Sequence, residues 1–250
     1  MKKLFVFLLF ITIISCEKQN NNVDSATKNE ALKYLNKGNL AFEQENYITA
    51  IKTYSEAILL DPNFAEAYAQ RSRANNGISK YNKAIKDANI ALRLEPNHIF
   101  AYNSRGHAYL QKKKYNKAIS DFNNAIRLDP NFIRAYNNRA LAYLKKKDYD
   151  LVINDYLQNI PFDETCVIYA YEKRSEKMFK KRDFDQVIAD CKQLIKLNPN
   201  NPDTYSNLAA AYYHKDNYSQ AIKEINTALK INPNHEYAKN LLARIKREQR

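Results

Sequence analysis

Histidines and carboxylates are the side chains of this sequence best suited to catalysis or metal binding, and their spacing supports neither. The four histidines lie far apart and lack the short separations of metal ligands: His98, His107, His214 and His235. His98 and His235 each follow a Pro-Asn pair, which predicts solvated turns. Asp121, Asp155 and Asp190 recur about 34 residues apart beside lysines, a pattern typical of a solvated helix face.

Motifs for covalent or nucleotide chemistry are missing from the sequence. It contains no GxSxG, no phosphate-binding loop and only three glycines. We therefore predict a protein that is not an enzyme and that needs neither a cofactor nor a metal.

Cys16 is the one cysteine whose position predicts a modification. Lys2 and Lys3 precede an uncharged run over residues 4–14, and Ser15 directly precedes Cys16. A basic start, a short apolar stretch and a small residue before the cut are typical of a secretory signal. The run is shorter than the ~20 residues of a membrane-spanning helix. Residues 1–15 resemble a bacterial lipoprotein signal peptide, which makes Cys16 the expected lipid attachment; an ordinary secretory signal is the alternative.

Residues 16–29 carry no apolar periodicity and predict a flexible tether. Glu17, rather than aspartate, follows Cys16, which favours an outer-membrane location within the cell envelope over the inner membrane.

The remaining cysteines leave two interpretations. Cys166 and Cys191 could form a disulfide in an exported chain, or Cys191 is a small buried residue of a helix.

A fixed period of about 34 residues organises the rest of the chain. Pro-Asn pairs occur at Pro62, Pro96, Pro130, Pro199 and Pro233. An aromatic residue near the start of each period also recurs, at Tyr34, Tyr68, Tyr102, Tyr136, Tyr171 and Tyr205, and small or slim residues follow a second aromatic at helical spacing. Each period predicts two helices ended by a proline, and one such hairpin must stack on its neighbours to bury its apolar face.

This pattern resembles the tetratricopeptide repeat family over nearly all of residues 30–235. The resemblance implies an all-α, right-handed superhelical solenoid of six helix–turn–helix repeats, at residues 31–64, 65–98, 99–132, 133–167, 168–201 and 202–235. Residues 236–250 suit a C-terminal capping helix. The fourth repeat is irregular, because Asn159 replaces an alanine and Pro161 arrives early; a hinge or notch and simple drift both remain open.

The resemblance also implies a binding groove, because the first helix of each repeat lines the inner face in this family. The groove positions carried over to this chain are Asn36, Asn39, Gln70, Arg73, Asn103, His107, Arg134, Asn137, Asn138, Lys173 and Asn207. Chaperone-binding members hold a C-terminal carboxylate with a Lys/Asn/Arg set. The matching positions here hold Leu35, Glu66 and Ala69, so that activity is not predicted.

A basic stripe is the second candidate surface. The formal net charge is +13, and clustered cations stand where successive first helices should end: Lys112, Lys113, Lys114, Lys145, Lys146, Lys147, Lys180, Lys181 and Arg182. Stabilisation of helix C-termini is the structural explanation, and contact with anionic lipid or an envelope polymer is the functional one.

The leading functional expectation is a membrane-anchored adaptor that binds a protein or peptide in the groove. Binding of anionic lipid or polymer through the basic stripe is the alternative. Nucleic acid is not expected as a partner, because the tyrosines fall at core spacing and the chain is predicted to be exported. The sequence leaves the oligomeric state and the identity of the partner undetermined.

Overall fold

The computed structural model describes residues 24–158 and 163–250. The predicted signal peptide, Cys16, Asn159 and Pro161 lie outside these residues. The described part folds into helices alone: α1 Ser25–Glu43, α2 Tyr47–Leu60, α3 Ala65–Gly77, α4 Tyr81–Leu94, α5 Ile99–Gln111, α6 Tyr115–Leu128, α7 Ile133–Lys146, α8 Tyr149–Leu157, α9 Glu164–Lys180, α10 Phe184–Leu197, α11 Pro202–His214, α12 Tyr218–Ile231 and α13 Glu236–Glu248. The predicted all-α repeat fold is confirmed.

Consecutive helices form two compact units, one up to Arg105 and one from Gly106. Within each unit, alanines let paired helices approach closely, and aromatic rings fill the remaining space. At Gly38 an added Cβ would lie 2.4 Å from the Tyr54 ring, and at Gly106 it would lie 2.6 Å from the Phe122 ring. Glycine is therefore required at these two contacts.

Helix α1 begins earlier than the sequence pattern indicated. The Asp24 carboxylate accepts a hydrogen bond from the Thr27 backbone N–H at 2.7 Å, and this N-cap starts the helix at Ser25. The predicted tether of residues 16–29 is thus wrong for residues 25–29. Apolar periodicity is weak there, but Ala31 and Leu35 already pack in the core.

The turn inside each helix pair has one backbone conformation throughout. Its central residue has a positive φ between 56° and 64°, in the left-handed region, at Glu45, Ser79, Lys113, Lys147, Arg182 and Asp216. None of these residues is glycine, although glycine meets this conformation at the lowest cost. The turns therefore store local strain in every repeat.

The recurrent aspartates are buried, so the prediction of a solvated face was wrong. Asp121, Asp155 and Asp190 are 4%, 8% and 1% exposed. In the second unit, Arg139 and Arg174 each donate two hydrogen bonds to the carboxylate 16 residues later, Asp155 and Asp190 respectively. Charge pairing offsets the cost of burial in these pairs.

Each arginine also reaches the preceding helix pair. Arg71 donates to Asp87 and to Ser55, and Arg139 donates to Asn123 at 2.7 Å. Helix α8 has nine residues, whereas the second helix of each other pair has 14. Arg174 donates to Asp150 at the start of α8, in place of a residue further along that helix. The arginines thus connect neighbouring repeats within a unit.

The two cysteines of the described residues are free thiols. Cys166 and Cys191 belong to separate core clusters, so the disulfide interpretation does not apply to this structure. Burial raises the pKa of Cys191 to about 11, which leaves an unreactive thiol.

At the C-terminus, helix α13 packs against the last helix pair through Ala238, Leu241 and Ile245.

Candidate functional site

A polar recess lies between the first helices of the first two repeats. It has a volume of about 380 Å³ and is lined by Asn39, Phe42, Glu43, Glu45, Tyr47, Gln70 and Arg73. The Arg73 guanidinium lies 4.0 Å from the centroid of the Phe42 ring, at the distance of a cation–π contact. Arg73 therefore covers the apolar base of this recess and gives it a polar, charged lining.

Tyr54 lies behind the same recess and contacts its lining through Asn39. Its ring lies against Gly38, and its hydroxyl donates to the Asn39 side-chain oxygen at 2.9 Å. Burial raises the pKa of Tyr54 to about 12, so the hydroxyl stays protonated and keeps donating. The interior of the helix pair behind the recess is consequently full.

A second recess, in the second unit, occupies the equivalent place 137 residues later in the sequence. Its volume is about 530 Å³, and α9, α10, α11 and α13 contribute to its lining. Phe179 corresponds to Phe42 and Asn207 to Gln70, whereas Ala210 stands where the first unit has Arg73. Phe179, Val187 and Leu194 line this recess together, which gives it an apolar wall; we call it the apolar pocket.

Small residues behind the apolar pocket make it deep. Ser175 and Cys191 stand where the first repeat has Gly38 and Tyr54, and their side chains lie 3.9 Å apart. Neither fills the space taken by a tyrosine ring. The pocket therefore reaches Val187 and Leu194 in the interior of the helix pair.

Charges concentrate at the rim of the apolar pocket. Glu176 accepts hydrogen bonds from Lys173 at 3.0 Å and from Lys180 at 2.8 Å. These two bonds lower the pKa of Glu176 to about 2, so the carboxylate stays ionised. Glu172 and Asp203 also line the pocket, so its five charged side chains sum to a single negative charge.

Two histidines connect neighbouring repeats beside the two recesses. The backbone N–H of Ala101 donates to His98 Nδ1, while His98 Nε2 lies 2.9 Å from the Glu66 carboxylate. His235 repeats the arrangement with Asp203. The prediction that these histidines are solvated is wrong for His98, which is buried, because the ring caps a helix and binds a carboxylate at once.

The structure places only part of the predicted groove residues at the recesses. Asn39, Gln70 and Arg73 line the polar recess, and Lys173 and Asn207 line the apolar pocket. Asn36, Arg134 and Asn138 line neither recess, and Asn103 is buried. Asn137 accepts a hydrogen bond from the backbone of Asp163. Burial lowers the pKa of His107, whose Nδ1 is buried without a partner.

Sequence reasoning missed the apolar residues of the pocket, namely Phe179, Val187, Cys191, Leu194 and Tyr237. Most of them stand at repeat positions that pack in the interior elsewhere. The available signal was the pairing of small Ser175 with small Cys191, where the first and third repeats pair a glycine with a large ring.

The basic stripe lies on the turns of the second unit, and all nine of its side chains are exposed. Lys113, Lys114 and Lys146 share one shallow recess with Tyr115, Asn116 and Lys117. Carboxylates accompany the later turns: Lys146 pairs with Asp148 at 3.0 Å, and Lys180 pairs with Glu176. The positive charge is therefore strongest at the turn of residues 112–117.

Metal sites and membrane spans are both absent from residues 24–158 and 163–250. No cluster of three or more histidine, cysteine or acidic side chains in these ranges is arranged to hold a metal ion. None of the helices described combines the length and apolar character of a membrane span.

The helix pairs, with the polar recess and the apolar pocket beside them, define a scaffold built from helical repeats. Residues 34–64 and 178–245 match models described as tetratricopeptide repeat, and residues 106–147 match a model described as TPR repeat. The chain belongs to the tetratricopeptide repeat (TPR) family. TPR domains are protein–protein interaction modules that bind peptides, and they typically serve as scaffolds rather than enzymes.

Several solved structures are similar to parts of the chain. The Arabidopsis OM64 TPR domain is 26% identical, covering 46% of this chain and 96% of that one, with a TM-score of 0.45. The first TPR of Spaghetti (RPAP3), bound to an HSP90 peptide, is 30% identical over 49% of this chain and 94% of that one, with a TM-score of 0.45. The TPR protein TTC0263 of Thermus thermophilus is 17% identical over 86% and 97%, with a TM-score of 0.46. No curated protein matches the chain.

Proposed function

We propose that this protein is a non-enzymatic adaptor that binds a peptide segment of a partner protein, and that the apolar pocket receives an apolar side chain of that segment. The observation that carries the proposal is the pocket itself. A cavity of about 530 Å³ with an apolar wall and a polar, charged rim has the size and the mixed lining of a ligand site.

The chemistry of the rim indicates which peptides fit. Asn207 is exposed at the pocket, and its amide can donate to and accept from the backbone of an extended peptide. The charged side chains of the lining are two lysines, Lys173 and Lys180, and three acidic residues, Glu172, Glu176 and Asp203. A large apolar side chain would therefore match the wall, and the mixed charges of the rim favour polar neighbours of either sign over a strictly acidic one.

In-cell photo-crosslinking tests this proposal. A photoreactive residue at Asn207 should capture a defined partner, and one at exposed Lys192 on α10, which does not line the pocket, should not. Ser175→Gly with Cys191→Tyr should abolish the capture, because this pair reproduces Gly38 and Tyr54, whose ring fills the interior of the first repeat. Capture by both sites alike, or capture that survives this double variant with the fold intact, would refute pocket binding.

We further propose that the adaptor is exported and anchored to a membrane of the bacterial cell envelope through a lipid on Cys16, with the outer membrane as the favoured location. The support is the run of residues before Cys16 in the sequence. Globomycin should make a precursor accumulate, and labelled palmitate should enter the wild-type protein but not Cys16→Ser. Failure of both would reject the anchor and leave the pocket proposal untouched.

A further inference from the structure

The shallow recess on the basic stripe has a defined composition. Lys113, Lys114 and Lys117 surround it from one turn, and Lys146 reaches it from the end of α7; the volume is about 300 Å³. All four lysines are exposed. We call this site, with the flanking Tyr115 and Asn116, the lysine recess.

Helix stabilisation does not account for Lys114 and Lys117. A cation is favourable at the C-terminal end of a helix and unfavourable in the first turn, where the helix dipole is positive. Lys114 is the N-cap of α6 and makes no capping hydrogen bond, and Lys117 lies in the first turn. Both side chains therefore add positive charge where the helix already presents it.

The fifth and sixth repeats place a hydrogen-bond acceptor that caps the helix at the position of Lys114. Asp183 caps α10 by accepting from the Gln186 backbone, and Asn217 caps α12 in the same way. Residues 111–117 contain no acidic side chain. The nearest pairing is Lys146 with Asp148, which leaves the lysines of the 112–117 turn in excess.

We propose that the lysine recess binds the phosphate of anionic phospholipid headgroups. Ammonium groups that converge on one small space, with an amide and a phenol beside them, suit a phosphate oxyanion. Lysines on flexible stems act as point charges and suit a laterally variable surface better than a planar bidentate ligand. Lys112, Lys145 and Lys147 flank the recess and meet neighbouring headgroups of a membrane. This contact does not depend on Cys16.

Vesicle binding by the full chain tests the inference. Phosphatidylglycerol vesicles are compared with phosphatidylcholine vesicles, so that any apolar contribution of the N-terminal segment is common to both, and its charges are the same in every variant. Lys114→Gln with Lys117→Gln should weaken binding to phosphatidylglycerol roughly 25-fold, the loss expected when two lysines near an anionic surface are neutralised. Binding to phosphatidylcholine should not change.

The chain offers a matched control. Lys80 and Lys83 occupy the same positions at the start of α4, where Ile78 and Ser79, rather than two further lysines, come before Lys80. Lys80→Gln with Lys83→Gln should change binding less than about 3-fold, because this turn lacks the additional cations. Equal losses in the two double variants would overturn the proposal in favour of general charge.

A competition arm separates the sources of phosphate. Inorganic phosphate at millimolar concentration, at constant ionic strength, should leave vesicle binding unchanged. Release of the protein by inorganic phosphate would assign the recess to a small free anion. That result, or equal binding to the two vesicle types, would overturn the assignment to a lipid surface.

Discussion

The polar recess of the first unit and the apolar pocket of the second occupy the same repeat positions but have different linings. Two substitutions make the difference. Arg73 lies over Phe42, whereas the equivalent Ala210 is small and Phe179 contacts the rings of Phe184 and His214. Tyr54 fills the interior of the first repeat, where Cys191 leaves it open in the fifth. A repeat scaffold can thus change the chemistry of a binding site through side-chain volume while its backbone stays the same.

The first prediction concerns how the two repeats behind these recesses are held together. Arg174 and the 1%-exposed Asp190 form a buried ion pair in the fifth repeat, and Thr53 occupies the place of Asp190 in the first. Asp190→Ala should cost about 3–5 kcal/mol of unfolding free energy, because it leaves Arg174 half-buried and unpaired from its main partner. Thr53→Ala should cost less than about 1 kcal/mol. Urea denaturation measures both, and equal costs would contradict the difference.

The second prediction concerns the filled interior of the first repeat. Gly38→Ala should destabilise the protein by about 1–3 kcal/mol, since the new Cβ meets the Tyr54 ring at 2.4 Å. Ser175→Ala should have a smaller effect, because Cys191 is small. Adding Tyr54→Ala to Gly38→Ser reproduces the Ser72 and Ala88 combination of the second repeat. Complementary volumes predict that Tyr54→Ala costs less in the Gly38→Ser background than in the wild type, and equal costs in the two backgrounds would disprove the complementarity.

The third prediction concerns what the two regions share. Glu45 and Arg182 are equivalent turn residues with φ of 57° and 62°. Replacing either by glycine should raise the thermal midpoint, by a stabilisation of about 0.5–1 kcal/mol, because the left-handed conformation costs glycine less. Differential scanning calorimetry measures the effect; a gain in only one of the two would show that the turns are not equivalent.

The fourth and smallest effect follows from charge at the rim. Asn39 cannot ionise, whereas Glu176 has its pKa lowered from 4.5 to about 2. A lowered carboxylate pKa stabilises the fold above pH 4.5, and this contribution is lost as the pH falls towards 2. Glu176→Gln should flatten that part of the pH–stability curve slightly, because the groups are exposed to solvent. Asn39→Asp serves as the control without the two lysine partners, and an unchanged curve for Glu176→Gln would contradict the assignment.

The repeat period predicted the helices and the final capping helix, because regular spacing of prolines, aromatics and alanines constrains the backbone directly. The Arg–Asp pairs were missed because the lysines around Asp155 and Asp190 suggested solvent. The arginines 16 residues earlier, Arg139 and Arg174, carried the missing signal.

The apolar pocket could not be predicted from groove positions alone. Residue types at those positions are polar in both units, as Gln70 and Asn207 illustrate. Whether a cavity exists depends on the volumes of interior side chains that face each other across a helix pair, such as Ser175 and Cys191. That relation is visible only once the two helices are placed side by side.

The most direct test of the central claim is an NMR titration of the protein with indole as a neutral aromatic probe. We expect saturable amide shifts around Phe179, Cys191 and Asn207, and none around Phe42. Ser175→Gly with Cys191→Tyr should abolish them, and Arg73→Ala should create new shifts near Phe42. Shifts centred on Phe42 in the wild type, or no difference between the two recesses, would show that the two linings do not differ as described.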